Sequence, residues 1–239
     1  MPLPKISTPT YELELPSTGQ TIKYRPFLVR EEKLLVLALE SEDTKQITTA
    51  IKAVLKNCIE TKAIKVESLP TFDIEYLFLN IRGKSVGEEV ELNLICPDDE
   101  ETMVPLKILI DDIKVQKNEE HNKQIKVDEH IIMEMRYPSL DQFIKNNFDF
   151  TAENNMDQSF DLIGSCIDKI YTEDEVWSAS DVTKKELIEF LDQMNSSQFK
   201  QIEKFFETMP KLSHTVKITN PKTEVESEVV LEGLASFFA

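Results

Sequence analysis

The side chains able to carry covalent or metal chemistry are few and scattered. Cys58, Cys96 and Cys166 lie about forty and seventy residues apart with no CxxC pair, so neither a disulfide framework nor a zinc-binding spacing is written in the chain. Cys58 and Cys166 sit on or beside apolar helical stripes, and Cys96 on the apolar face of an alternating segment. There a thiol acts as a small hydrophobe whose pKa rises, the opposite of what a nucleophile needs. Cys96-Pro97-Asp98-Asp99 has the form of half a metal knuckle, and its second half is absent. His121 falls in a polar loop, and His130 and His214 on predicted strands, with no HxH or HExxH spacing; no metal site is expected. The five glycines, at 19, 83, 87, 164 and 233, form neither GxGxxG nor GxxxxGK[ST], so the amides that cradle a nucleotide phosphate have no source. Asp111-Asp112, Glu119-Glu120 and Glu173-Asp174-Glu175 are adjacent acids of the kind found on solvated loops, which does not set two carboxylates across a cleft. The lone Trp177 reads as a partly buried anchor. These residues predict no catalytic group, no cofactor and no metal; a hydrolase using carboxylates of residues 85–239 is the weakest of the functional readings.

The elements that would position such residues follow from periodicity. Tyr11, Leu13 and Leu15 alternate with Glu12 and Glu14, Pro16 to Gly19 turns the chain, and Ile22 to Arg25 returns, which is a β-hairpin. Val29 to Ser41 has helical spacing, with Glu31 and Glu32 in the first turn where acids suit the helix dipole. Ile47, Ala50, Ile51, Val54, Leu55, Cys58 and Ile59 give the clearest amphipathic stripe. A third helix, from about Phe72, is expected to stop at Gly83. The period then drops to two: Val90 to Cys96 and Met103 to Ile110 form a second hairpin around Pro97 to Glu100, and a strand spans Ile131 to Tyr137. Lys117 to Lys123 reads as an exposed loop. Beyond Pro138, Ser139 caps a short helix with Leu140, Phe143 and Ile144, and Asn146 to Asn155 is a polar boundary. Helical spacing resumes over Phe160, Ile163, Ile167 and Ile170, then from a Thr183 to Glu186 capping box, then over Phe199, Ile202, Phe206 and Met209 up to Pro210. Leu212 to Ile218 and Val225 to Leu231 make a closing hairpin around Asn220-Pro221.

The fold class is therefore α+β: an N-terminal β-hairpin with three helices, a central antiparallel hairpin region, and C-terminal helices ending in a β-hairpin. Three blocks are expected, 1–84, 85–138 and 139–239. At 239 residues the chain can bury an ordinary core without disulfides or metals, and no 20–50-residue repeat is visible.

Net charge is −17. Residues 1–84 hold 12 basic and 11 acidic side chains, leaving 15 against 33 for residues 85–239. That surplus repels a phosphate backbone, so no nucleic-acid partner is expected; acidity that merely keeps the chain dissolved is the plainer account. No run approaches the ~20 apolar residues of a membrane span, and the segment from Met1 to Ile6 lacks a secretory signal. A reducing intracellular compartment fits the cysteines.

What remains is contact with other proteins. Phe199, Ile202, Phe205, Phe206 and Met209 precede a tail holding Leu234, Phe237 and Phe238. Such a density of large apolar side chains near a chain end either folds back or meets a partner, and Leu234, Phe237 and Phe238 are the candidate interface residues. Hairpin edges offer strand addition as well, guarded by Glu12, Glu14 and Glu91.

One stretch carries more than periodicity. Thr8-Pro9-Thr10-Tyr11-Glu12-Leu13, Tyr24-Arg25-Pro26-Phe27-Leu28-Val29-Arg30-Glu31-Glu32-Lys33-Leu34-Leu35 and Ala38-Leu39-Glu40-Ser41 resemble the baseplate hub proteins of T-even-type contractile-tailed bacteriophages. The match loosens through Val86-Gly87-Glu88, Cys96-Pro97-Asp98-Asp99 and Met209-Pro210-Lys211-Leu212. The resemblance implies a non-enzymatic virion protein of the tail baseplate, made in the host cytoplasm. It would be either a permanent subunit of the central hub or an assembly factor that leaves before the particle matures. Its implied partners are other phage tail and baseplate proteins in a hetero-oligomeric assembly. No catalytic residue comes with it.

Overall fold

The structure, a computed structural model, describes residues 6–41, 43–139, 142 and 156–237. Among them are six α-helices and eleven strands in small antiparallel sheets, the α+β class that the change of period predicts. The chain divides into two compact units: residues 1–116 with 211–239, and residues 117–210. Residues 85–116 thus belong to the first unit and 117–138 to the second.

The first unit opens with β1 (Tyr11–Glu14) paired to β2 (Thr21–Tyr24), Leu13 opposite Ile22. Helices α1 (Val29–Glu40), α2 (Thr44–Cys58) and α3 (Thr71–Val86) follow, α1 packing on α2 and α2 on α3. Asp43 caps α2 by accepting from the Lys45 amide at 2.8 Å. Helix α3 buries Phe72, Ile74, Leu77, Phe78, Leu79 and Ile81, too many directions for a one-sided stripe; a helix apolar on several sides is an interior helix. It runs past Gly83, the expected stop, and ends at Gly87, whose φ of 148° suits glycine. A Cβ at Gly83 would meet Ile110 Cδ1 at 3.0 Å, so the glycine there lets a side chain approach the helix and does not end it.

Strands β3 (Glu89–Ile95) and β4 (Met103–Leu109) form the second hairpin in the register Val90 to Ile108 and Leu94 to Val104. Strand β5 (Lys114–Gln116) then pairs with β10 (Lys211–Thr219), which pairs with β11 (Glu226–Glu232). Leu79, Val90, Ile113, Leu212, Leu231 and Phe237 belong to one buried cluster that joins α3 to these strands.

The second unit holds a four-stranded sheet in the order β6 (Gln124–Lys126), β7 (Ile132–Met135), β8 (Ile167–Tyr171), β9 (Val176–Ser178). Its helices are α4 (Met156–Cys166), α5 (Lys184–Asp192) and α6 (Ser196–Thr208). Helical spacing over Phe160, Ile163, Ile167 and Ile170 predicts one continuous helix; the chain instead changes to strand at Ile167. Ile167 pairs with Met135 and Ile170 with Met133 and Trp177, so β-branched residues spaced by three here serve a bulged strand whose register shifts at Glu134/Met135. The predicted capping box is present, with the Thr183 amide donating to Glu186 Oε2 at 2.7 Å and the Glu186 amide to Thr183 Oγ1 at 3.3 Å. Ser139 and Gln142 make a second reciprocal pair at 2.7 and 3.4 Å. Leu140, Phe143 and Ile144, and the Asn146 to Asn155 boundary, lie outside the described residues.

Candidate functional site

The segment Tyr24 to Glu31 is built around one buried carboxylate. Pro26 ends strand pairing, and the chain enters α1 at Leu28, an extended residue without a side-chain oxygen to cap the helix. Glu31, three residues on, supplies the missing partner: its Oε2 accepts from the Leu28 amide at 2.8 Å. Its Oε1 accepts from Arg25 Nη2 at 3.1 Å and Arg30 Nε at 2.7 Å. Glu31 is only 1% exposed. Burial alone would push its pKa up, but hydrogen bonds from Arg30, Leu28 and Arg25, with the Arg25 charge, lower it to about 2. Arg25 also donates to the Pro26 carbonyl at 2.8 Å and approaches Cys58 Sγ at 3.7 Å, tying the loop to the end of α2. The distinctive Arg-Pro-Phe-Leu-Val-Arg-Glu run therefore fixes the direction in which α1 leaves the hairpin.

Helix α1 buries little of itself. Glu31 and Ala38 are buried and Leu35 half-buried, a stripe at i, i+4 and i+7 on the α2 side. Elsewhere Val29 (65% exposed), Val36 (47%), Leu37 (65%) and Leu39 (58%) face solvent, with Leu34 also exposed. Monomeric surfaces seldom gather so many large apolar side chains on one short helix. The periodicity that identified α1 does not reveal this, because Leu, Leu, Val, Leu, Ala, Leu in succession fills every direction around the helix.

The chain-end candidates sit differently. Phe237 is 1% exposed and belongs to its own unit's core with Leu79 and Leu212, and Leu234 is half-buried against that same cluster. Phe238 lies outside the described residues. The short 3-10 turn carrying Leu234 and Phe237 is held by Glu75 of α3, whose Oε1 accepts from the Leu234 amide at 3.1 Å. Burial, with Glu232 nearby, raises the Glu75 pKa to about 7.

The residues with chemical potential are used structurally. All three thiols are buried, and burial pushes Cys58 up to about 11 and Cys166 to about 12. At the Cys96-Pro97-Asp98-Asp99 tip, Asp99 accepts from the Glu101 and Thr102 amides at 3.1 and 3.0 Å. Asp98 accepts from Thr223 and, at 3.0 Å through both oxygens, from Asn220 Nδ2. The acids of the half-knuckle thus fasten the β3–β4 tip to the β10–β11 turn, a long-range contact invisible to spacing. No cluster of three or more His, Cys, Asp or Glu with metal-binding geometry occurs among the described residues.

Sequence reading misplaces two histidines: His130 lies in the exposed bend between β6 and β7 and not on a strand, and His121 departs further from expectation. It is half-buried rather than on an exposed loop, between Tyr137 and Phe205 with ring centroids at 5.5 and 5.1 Å. Thr208 spends its hydroxyl proton on the Lys204 carbonyl at 2.6 Å, so His121 Nδ1, 3.0 Å away, is the donor to Thr208 Oγ1. Nε2 is then a buried acceptor with no partner.

No helix among the described residues is long and apolar enough to cross a membrane. No curated protein and no solved structure matches the chain. A family model described as T4 bacteriophage base plate protein matches residues 8–239, which includes the Tyr24 to Glu31 segment and all of α1. With nearly its whole length covered, the chain belongs to the T4 bacteriophage base plate protein family, and is a structural component of a T4-type phage tail baseplate.

Proposed function

We propose that the chain is a non-enzymatic subunit of the central hub of the baseplate, and that it works by docking the outer face of α1 against protein. The observation that carries the docking surface is the exposure of Val29, Val36, Leu37 and Leu39 on a helix whose exit direction is locked by Glu31. A face that water disfavours, held in place by a buried ion-pair network, is what a subunit needs when its neighbours cover it in the assembled state. Family membership supports the setting, since partners in a baseplate are other tail proteins. The terminal candidates Leu234 and Phe237 then brace the unit that presents α1, and Phe238 stays with them as a contact candidate at the chain end.

Quantitative mass spectrometry of purified mature particles tests this reading. A hub subunit appears in fixed, small copy number. A chain abundant in infected-cell lysate and missing from particles is a transient assembly factor instead, and the permanent-subunit reading falls.

A further inference from the structure

The outer face of α1 has an internal order that points to its occupant. Val29, Lys33, Val36 and Glu40 follow at i, i+4, i+7 and i+11, with Leu37 beside them, and so run along one stripe opposite Glu31, Leu35 and Ala38. Lys33 and Glu40 are seven residues apart, about 10 Å along the axis, too far to pair within their own helix. Neither makes an ion pair among the described residues. They stand at equal distances from the midpoint between Val36 and Leu37, as do Leu34 and Leu39.

From this symmetry we infer that a second copy of this chain covers the face, the two α1 helices packing antiparallel about a twofold axis that passes between Val36 and Leu37. A twofold axis perpendicular to the helices brings position i of one copy level with position 73 minus i of the other. Lys33 then lies beside Glu40 of the second copy, and Glu40 beside its Lys33, making two ion pairs from one sequence. At the centre Val36 of each copy lies level with Leu37 of the other, which places Leu37, 65% exposed on the single chain, at the point best shielded from water. Parallel packing would put Lys33 on Lys33 and Glu40 on Glu40, so the charges select the antiparallel arrangement. One twelve-residue helix per copy buries less than the ~1,600 Å² of a standard interface, so the dimer dissociates at about micromolar concentration.

This inference rests on the docking role given to α1 above, and its test separates the two. Sedimentation velocity of the purified full chain between about 1 and 200 µM is expected to show a monomer of 27.6 kDa passing to a species of twice that mass. Leu37→Glu weakens the dimer by about 100-fold or more with an unchanged thermal melt, because the side chain is exposed. Lys33→Glu weakens it by about 10-fold, and Lys33→Glu combined with Glu40→Lys restores it, a rescue that a general loss of fold would not give. A wild-type chain that stays monomeric throughout, or a dimer indifferent to all three variants, overturns the inference. If the wild type is monomeric while Leu37→Glu drops out of particles, the docking role stands and α1 meets a different protein. If the dimer forms as described and Leu37→Glu still enters particles, the inference stands and the docking role in the particle falls.

Discussion

Glu31 is where composition misleads and geometry decides. A carboxylate 1% exposed would ordinarily be neutral or absent; two arginines and a helix-capping amide keep this one ionised. Because its pKa falls on folding, it adds stability above its ordinary value of 4.5, and that contribution is lost as the pH falls from there towards 2. Glu31→Gln should cost on the order of 3 kcal/mol at neutral pH by leaving Arg25 without its buried partner, read by chemical denaturation, and the difference from wild type should shrink in acid. Glu75 has the opposite sign. Its pKa is raised from 4.5 to about 7, so its contribution is full below 4.5 and lost as the pH rises through 7. Glu75→Gln keeps an oxygen for the Leu234 amide without the charge, and should raise stability by on the order of 2 kcal/mol at pH 8.5 while changing little at pH 5. At this scale the sequence shows that Glu31 lies in the first turn of a helix and that Arg25 and Arg30 are near. That all three converge on one buried point depends on the Pro26 turn, which no spacing rule supplies.

At the scale of elements, periodicity located the hairpins and most of the helices, and it failed where two periods fit the same letters. Ile167 and Ile170 satisfy a helical stripe, yet their partners Met135 and Met133 lie on a strand more than thirty residues earlier, a contact the local pattern does not contain. Gly83 is similar: glycine both ends helices and admits close neighbours, and only Ile110 tells which. Gly83→Val should destabilise the protein by about 1–3 kcal/mol through overpacking against Ile110, and truncating Ile110 to Ala in the same chain should recover part of that loss. If Gly83→Val is neutral, the contact between α3 and Ile110 is not as close as described. The exposed face of α1 was hidden in the sequence for a related reason: a run of aliphatic residues names a helix without saying how many of its sides will be covered.

For the molecule as a whole, units follow packing rather than chain order. β5 pairs with β10 across about a hundred residues, Lys211 opposite Gln116, so the segment between them leaves and returns through adjacent strands. Its own core of Met133, Leu162, Ile167, Leu191 and Phe205 among others is separate from the cluster around Leu212. Residues 117–210, expressed alone, should give dispersed amide resonances and a cooperative melt; a collapsed, non-cooperative state would mean the unit needs the remainder of the chain. The central claim is that α1 is the surface through which this baseplate protein acts, and the most direct measurement is the amount of chain carried in purified particles when Leu37→Glu replaces the wild type. Val230→Glu, at an exposed apolar position on β11, is the matched control. The account predicts that Leu37→Glu is lost from particles while Val230→Glu is retained; equal incorporation of both would contradict it.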